Sequence, residues 1–171
     1  LVGLYSSNME IADDSMVNVI ASGYPINILG SAEITDSKVT AINPSNEEDL
    51  AAFVEYFDSS FSSFFALYVG RYPGDKLIVL NSEITAGALH CAIHSINITI
   101  GDGSIVTASG GLYGMYSISS TSIADSVLNA SSSWTLEDYN NFVFKEQVSP
   151  PCAICVSDQE ECMTISDSEI T

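Results

Sequence analysis

Basic residues are scarce in this chain: four Lys and Arg together face 22 Asp and Glu, for a formal net charge of -18 over 171 residues. Such a surface repels phosphate backbones and anionic headgroups, which excludes nucleic acid as a partner. Cysteine is just as rare. Cys91, Cys152, Cys155 and Cys162 are too few for a disulfide scaffold. No apolar run approaches the ~20 residues of a membrane-spanning helix. Amphipathic runs of helical length are missing between Ala66 and Ala130, which argues against a helical repeat. What remains is apolar enough to fold, at 46% hydrophobic residues, and long enough for one domain over residues 1–171.

Against those absences stands a recurrence. Residues 92–117 read AIHSINITIGDGSIVTASGGLYGMYS, and related phrases occur as GLYS at Gly3, NILG at Asn27, ALYV at Ala66 and AICV at Ala153. Each precedes a stretch of alternating apolar residues with a polar corner, as in AEITDSKVTA and LIVLNSEITA. The corner serines are Ser15, Ser37, Ser82, Ser104, Ser126 and Ser168, with separations of 22, 45, 22, 22 and 42. A repeat of this length marks a solenoid, whose units stack to bury a shared core. The two-residue alternation and abundant β-branched residues make it a β one. The expectation is an all-β, right-handed parallel β-helix of about six 22-residue coils, with like positions stacked ~4.8 Å apart.

The two long intervals imply excursions over 43–64 and 131–151. In the first, Ser45 and Glu48 have capping-box spacing ahead of Leu50, Phe53, Val54 and Phe57, which predicts a short helix. A degenerate extra coil is the alternative, since Asp58-Ser59 falls 22 residues after Ser37. The second excursion starts a helix at Thr135 with Asp138 three on. Phe53, Phe57, Phe61, Trp134, Phe142 and Phe144 then cover the sheet face between the two.

Units such as NITIGDGSIVTASGGLYGMYS resemble those of bacterial right-handed β-helices, including pectate-lyase-like proteins and the calcium-dependent polysaccharide-binding helices of anaerobes. The resemblance covers most of the chain and implies a secreted or surface protein acting on or binding polysaccharide. The catalytic motifs of those enzymes do not carry over. Lys38, Arg71, Lys76 and Lys145 stand in no lyase motif, and Asp13-Asp14 lacks the Gly-His-Gly and Arg-Ile-Lys partners of a polygalacturonase.

Four constellations are candidates for function. Asp14, Asp36, Asn81, Asp102, Asp125 and Asp167 form one column, readable as a calcium site or as turn chemistry, because Asp and Asn tolerate left-handed backbone. Tyr5, Tyr68, His94 and Tyr116 form another, interrupted by Leu29 and continued by Cys155. Alternation with Leu67, Ile93 and Met115 turns that column outward, to stack on sugar rings together with Trp134 or to stack on itself. Cys162 can pair with Cys155 or Cys152 in an oxidising compartment. Asn97 and Asn129 begin glycosylation sequons.

The expected function is a non-catalytic extracellular β-solenoid, an adhesin-like or polysaccharide-binding module of the cell surface, with Ca2+ as the one candidate cofactor. A polysaccharide lyase or glycosidase using Asp13, Asp14 and Asp36 is the first alternative, and a structural filament subunit the second. Setting SDSEIT before LVGLYS reproduces an internal junction, NSEITAGALHCAIHS. The expectation is continuation in a longer chain or end-to-end self-association.

Overall fold

In the computed structural model, which describes residues 2–46, 48–49, 64–135, 151–157 and 163–171, the alternating segments are eighteen short strands, numbered in chain order. They form three parallel six-stranded sheets, each taking one strand from every coil. The first sheet contains β1 (Val2–Ser6), β4 (Tyr24–Ile28), β7 (Phe65–Val69), β10 (Cys91–Ser95), β13 (Tyr113–Ser117) and β16 (Cys152–Val156). The second contains β2 (Met9–Ile11), β5 (Ala32–Thr35), β8 (Lys76–Leu80), β11 (Asn97–Gly101), β14 (Thr121–Ala124) and β17 (Met163–Ser166). The third contains β3 (Met16–Ile20), β6 (Lys38–Ile42), β9 (Glu83–Ala88), β12 (Ile105–Gly110), β15 (Val127–Ser132) and β18 (Glu169–Ile170). This is a parallel β-helix of six coils.

The core is a set of columns running along its axis. Ile26, Leu67, Ile93 and Met115 come from the first sheet, and Ile34, Val79, Ile100 and Ile123 from the second. The third adds paired columns of large and small residues: Val39, Ile84, Val106 and Leu128 beside Ala41, Ala86, Ala108 and Ala130. The alanines lie where the first and third sheets converge. A Cβ on Gly114 would stand 2.8 Å from the Ala108 carbonyl oxygen. Space at that edge selects small side chains, while the opposite wall takes Ile and Leu.

The corner between the second and third sheets explains the Asp-Ser signature. Asp13, Asp14, Asp36, Asn81, Asp102, Asp125 and Asp167 all have left-handed backbone, with φ between 45° and 59°. Asp and Asn reach that region more readily than other side-chain-bearing residues. The serine that follows turns its hydroxyl into a ladder parallel to the axis. The amide of Ser15 donates to Ser37 Oγ at 3.2 Å, that of Ser37 to Ser82 Oγ at 3.1 Å, that of Ser82 to Ser104 Oγ at 3.3 Å and that of Ser126 to Ser168 Oγ at 3.2 Å. The hydroxyls in turn donate to carbonyls of their own turn: Ser82 to Leu80 O and Ser126 to Ala124 O, each at 2.7 Å. Corner amides that have left the sheets are thereby satisfied without water.

Both long intervals leave the sheets uninterrupted. β4, β5 and β6 pair directly with β7, β8 and β9, and β13, β14 and β15 with β16, β17 and β18. Among the described residues no strand stands between the second and third coils, or between the fifth and sixth. The helix cap in the first interval lies one residue later than Ser45 and Glu48 would place it. Asn46 Oδ1 accepts from the amides of Glu48 and Asp49 at 2.9 and 3.0 Å, and Asp49 Oδ2 accepts from the Asn46 amide at 3.0 Å. Asn46 wins because Ser45 is held in a turn, its amide bound to Asn43 Oδ1 at 3.0 Å. Phe53, Phe57, Phe61, Asp138, Phe142, Phe144 and Cys162 lie outside the described residues.

Candidate functional site

The outer face of the first sheet carries two columns of large side chains. One runs Val2, Tyr24, Phe65, Cys91, Tyr113, Cys152, with Phe65 following Tyr24 by the register of the neighbouring Ile26–Leu67 pair, and the other Tyr5, Asn27, Tyr68, His94, Tyr116, Cys155. The residue interrupting the aromatic column is therefore Asn27. Leu29, assigned there from the NILG phrase, lies two positions on, beyond the end of β4. For Tyr68, His94 and Tyr116 outward placement follows from alternation, because the preceding Leu67, Ile93 and Met115 fill the core. Phe65, Cys91 and Tyr113 stand two residues before those core positions, and their packing in the second cluster rather than alternation places them outside.

The rings of this column stack on one another. Tyr68 and His94 have centroids 4.8 Å apart with planes at 6°, and His94 and Tyr116 5.4 Å apart at 11°. Phe65 packs against Tyr68 at 5.5 Å, and Tyr113 against Tyr116 at 4.9 Å. With Phe64, Leu112 and Trp134 they make a second apolar cluster outside the coil stack. Both faces of His94 are thus covered, and Trp134 is only 8% exposed. A sugar needs an open ring face to stack on. Of the five candidates Tyr5, at 61% exposed, offers one, while Tyr68 and Tyr116 sit half-buried among their neighbours.

Two histidines and three thiols meet in this cluster, a constellation that could suggest nucleophilic chemistry. Their surroundings keep all of the shifted groups uncharged. Burial pushes His94 down to about 4, and burial with the nearby His94 pushes His90 down to about 3. Burial raises the Cys91 thiol well above its ordinary value, and burial with the adjacent Cys155 raises Cys152 to about 12. A protonated thiol is a poor nucleophile. Cys91, Cys152 and Cys155 are free thiols, and the pairing of Cys162 lies outside the described residues.

The acidic corner borders a shallow groove of about 530 Å³, lined by Asp13, Asp14, Asp36, Asn81, Lys38 and Glu83 among others. Asp36 Oδ1 accepts from Asn81 Nδ2 at 2.5 Å. Among the described residues no three His, Cys, Asp or Glu side chains converge on a metal position. Asp102, Asp125 and Asp167 continue the column as turn residues. Lys38, the cation in the groove, is bound to Glu83 at 2.7 Å.

A third array was not recognised in the sequence. On the outer face of the third sheet Asn18, Thr40, Thr85, Thr107 and Asn129 lie in register, one per coil, and Thr171 Oγ1 donates to Asn129 Oδ1. In the adjoining column Ser131 donates to Ser109 at 3.2 Å. The signal was present in the recurring VTA, ITA and LNA triplets, whose middle residue is short and polar at every turn. Asn97 lies elsewhere and is fully engaged, its Nδ2 donating to Pro73 O and Asp75 O and its Oδ1 accepting from the Ser120 hydroxyl.

No protein-family model, curated protein or solved structure matches the chain. Among the described residues no helix is long and apolar enough to cross a membrane. The functional reading therefore rests on the surfaces of the solenoid themselves.

Proposed function

We propose that this protein is a non-catalytic extracellular β-solenoid, an adhesin-like module that binds polysaccharide along the outer face of its third sheet. The observation that carries this reading is the in-register column Asn18, Thr40, Thr85, Thr107 and Asn129. It repeats one hydroxyl or amide per coil, about 4.8 Å apart, in a strip without charge. A polysaccharide offers the matching pattern, hydroxyls repeated at every unit of an extended chain. Each contact contributes only about 0.5–1.5 kcal/mol, so affinity comes from engaging several coils at once. A surface location agrees with the acidic, Lys-poor composition.

The test is binding of the full chain to a panel of neutral and acidic polysaccharides, with Thr85→Val and Thr107→Val combined. Valine keeps the branched shape and removes the hydroxyls. A bound glycan that is released by the double variant, at unchanged melting temperature, supports the reading. Binding unaffected by it relocates the site, and absence of binding across the panel rejects the function.

A further inference from the structure

The corner from the first sheet to the second takes between one and three residues in the first, second, fourth and fifth coils. In the third coil it takes six, Gly70-Arg71-Tyr72-Pro73-Gly74-Asp75. This longer corner is rigidly built. Gly70 has φ 90°, and a Cβ there would stand 2.8 Å from the Asp75 side chain. Asp75 Oδ2 accepts from the amides of Arg71 and Tyr72 at 2.8 and 2.7 Å, and the Asp75 amide donates to Tyr72 O at 2.9 Å. Asn97 of the next coil ties down the carbonyls of Pro73 and Asp75 at 3.1 and 2.9 Å, and Ser120 of the coil after that holds Asn97 at 2.8 Å. Residues from three coils hold one projecting loop in a single shape.

What the loop presents differs from the rest of the surface. Tyr72 is 63% exposed, and the Arg71 guanidinium lies over its ring at 5.9 Å. Arg71 and the exposed Lys76 are two of four cations in a chain with 22 acidic residues. Among the described residues Lys38–Glu83 is the one ion pair, so Arg71 has no carboxylate partner there. The charges of Arg71 and Asp75 also both act on Tyr68 at the edge of the aromatic stack, although burial dominates the upward shift of its phenol.

We infer that the Arg71–Tyr72 loop is a binding site for a sugar ring bearing an anionic substituent, the guanidinium taking the anion and Tyr72 the ring. A planar guanidinium fork matches carboxylate and sulfate oxygens and is weakly hydrated, so it gives up water readily to such a group. The aromatic face supplies apolar contact beside it. Repulsion from the net charge of -18 does not prevent this contact. At physiological ionic strength it is largely screened beyond ~8 Å, while the contact itself is at hydrogen-bond range. The ligand class rests on the polysaccharide reading, but the site is separate from the third-sheet column and needs no calcium.

The experiment is affinity electrophoresis of the full chain in chelator through polygalacturonate, dextran sulfate and neutral dextran. The variants are Arg71→Ala, Arg71→Lys, Tyr72→Ala and, as a control on the third sheet, Thr85→Val with Thr107→Val. The expected result is retardation by one or both anionic polymers, weakened about tenfold or more by Arg71→Ala. Arg71→Lys, which keeps the charge and loses the fork, weakens it less, and Tyr72→Ala weakens it too. The carboxylated and sulfated arms distinguish the two sources of the anion. Retardation by an anionic polymer that ignores Arg71 and Tyr72, or that appears only with added calcium, overturns the inference. Binding of neutral glycan alone, lost in the threonine variant, overturns it and leaves the proposed function standing. No binding to any glycan overturns both. Circular dichroism of each variant separates loss of binding from loss of fold.

Discussion

The imidazole of His94 lies face to face with the phenol of Tyr68, centroids 4.8 Å apart and planes 6° from parallel. Parallel β-strands set this relationship. Residues in register on adjacent coils stand about 4.8 Å apart, close to the separation of stacked rings. An aromatic column on a β-helix is thus built to stack on itself before it meets any ligand.

Acid should destabilise the fold through the two histidines. Their folded values, about 4 for His94 and about 3 for His90, lie below the ordinary 6.5, so the unfolded chain binds more protons in between. The stability they contribute is fully present above 6.5 and is lost as pH falls from there toward 4 and then 3. The loss is up to about 1.4 kcal/mol per pH unit for each. Discharge of carboxylates acts in the opposite direction, so the measurement is a difference. Urea midpoints of wild type and His94→Phe should diverge between pH 6.5 and 4, the variant losing less; parallel curves would remove His94 as the cause.

Serine at the second-to-third corner should be hard to replace. Ser82 Oγ accepts from the Ser37 amide and donates to Leu80 O, and Ser82 is buried. Ser82→Ala leaves that amide unsatisfied and should cost about 1–3 kcal/mol. Chemical denaturation reads this as a lower midpoint at unchanged slope. Ser109→Ala on the exposed face serves as the neutral comparison.

Left-handed backbone at the same corner gives a sharper contrast. Asp125 has φ 48°. Asp125→Val should destabilise by about 1–2 kcal/mol, and Asp125→Gly by less, because glycine has no Cβ to clash. Equal effects of the two would show that the carboxylate, rather than the backbone angle, selects aspartate there.

Calcium tests the other reading of those carboxylates. The left-handed turns already account for them, and no three converge on a metal position among the described residues. Thermal melts in millimolar calcium and in matched magnesium should coincide, both ions merely screening the net charge of -18. A higher melting temperature in calcium alone would assign a specific site in the groove of Asp13, Asp14 and Asp36.

The coil architecture was legible in the sequence because a solenoid is nearly one-dimensional. Each coil touches its neighbours at the same positions, so the serine spacing from Ser15 to Ser168 carries the stack directly. Register within a coil was less legible. The NILG phrase matched Leu29 to Tyr5 by similarity, whereas hydrogen bonding matches Asn27. Leu29 differs from Asn27 by one full two-residue period, so alternation alone does not tell the two apart, and only the hydrogen-bonded pairing with β1 does. The Thr85 and Thr107 column escaped notice for a related reason: a short polar residue between two apolar ones reads first as an ordinary half-buried strand.

The sequence by itself determined the period, the strands, the polar corner and the inward columns, since all of these follow from alternation and turn chemistry over a few residues. Only the tertiary structure decided how those residues share their contacts between coils. It turned the rings of Tyr68, His94 and Tyr116 toward one another, closed the serine hydroxyls into a ladder and left Arg71 unpaired among the described residues on a loop held by Asn97. Each of these depends on distances between residues about one coil apart in sequence, which a linear pattern implies but does not measure.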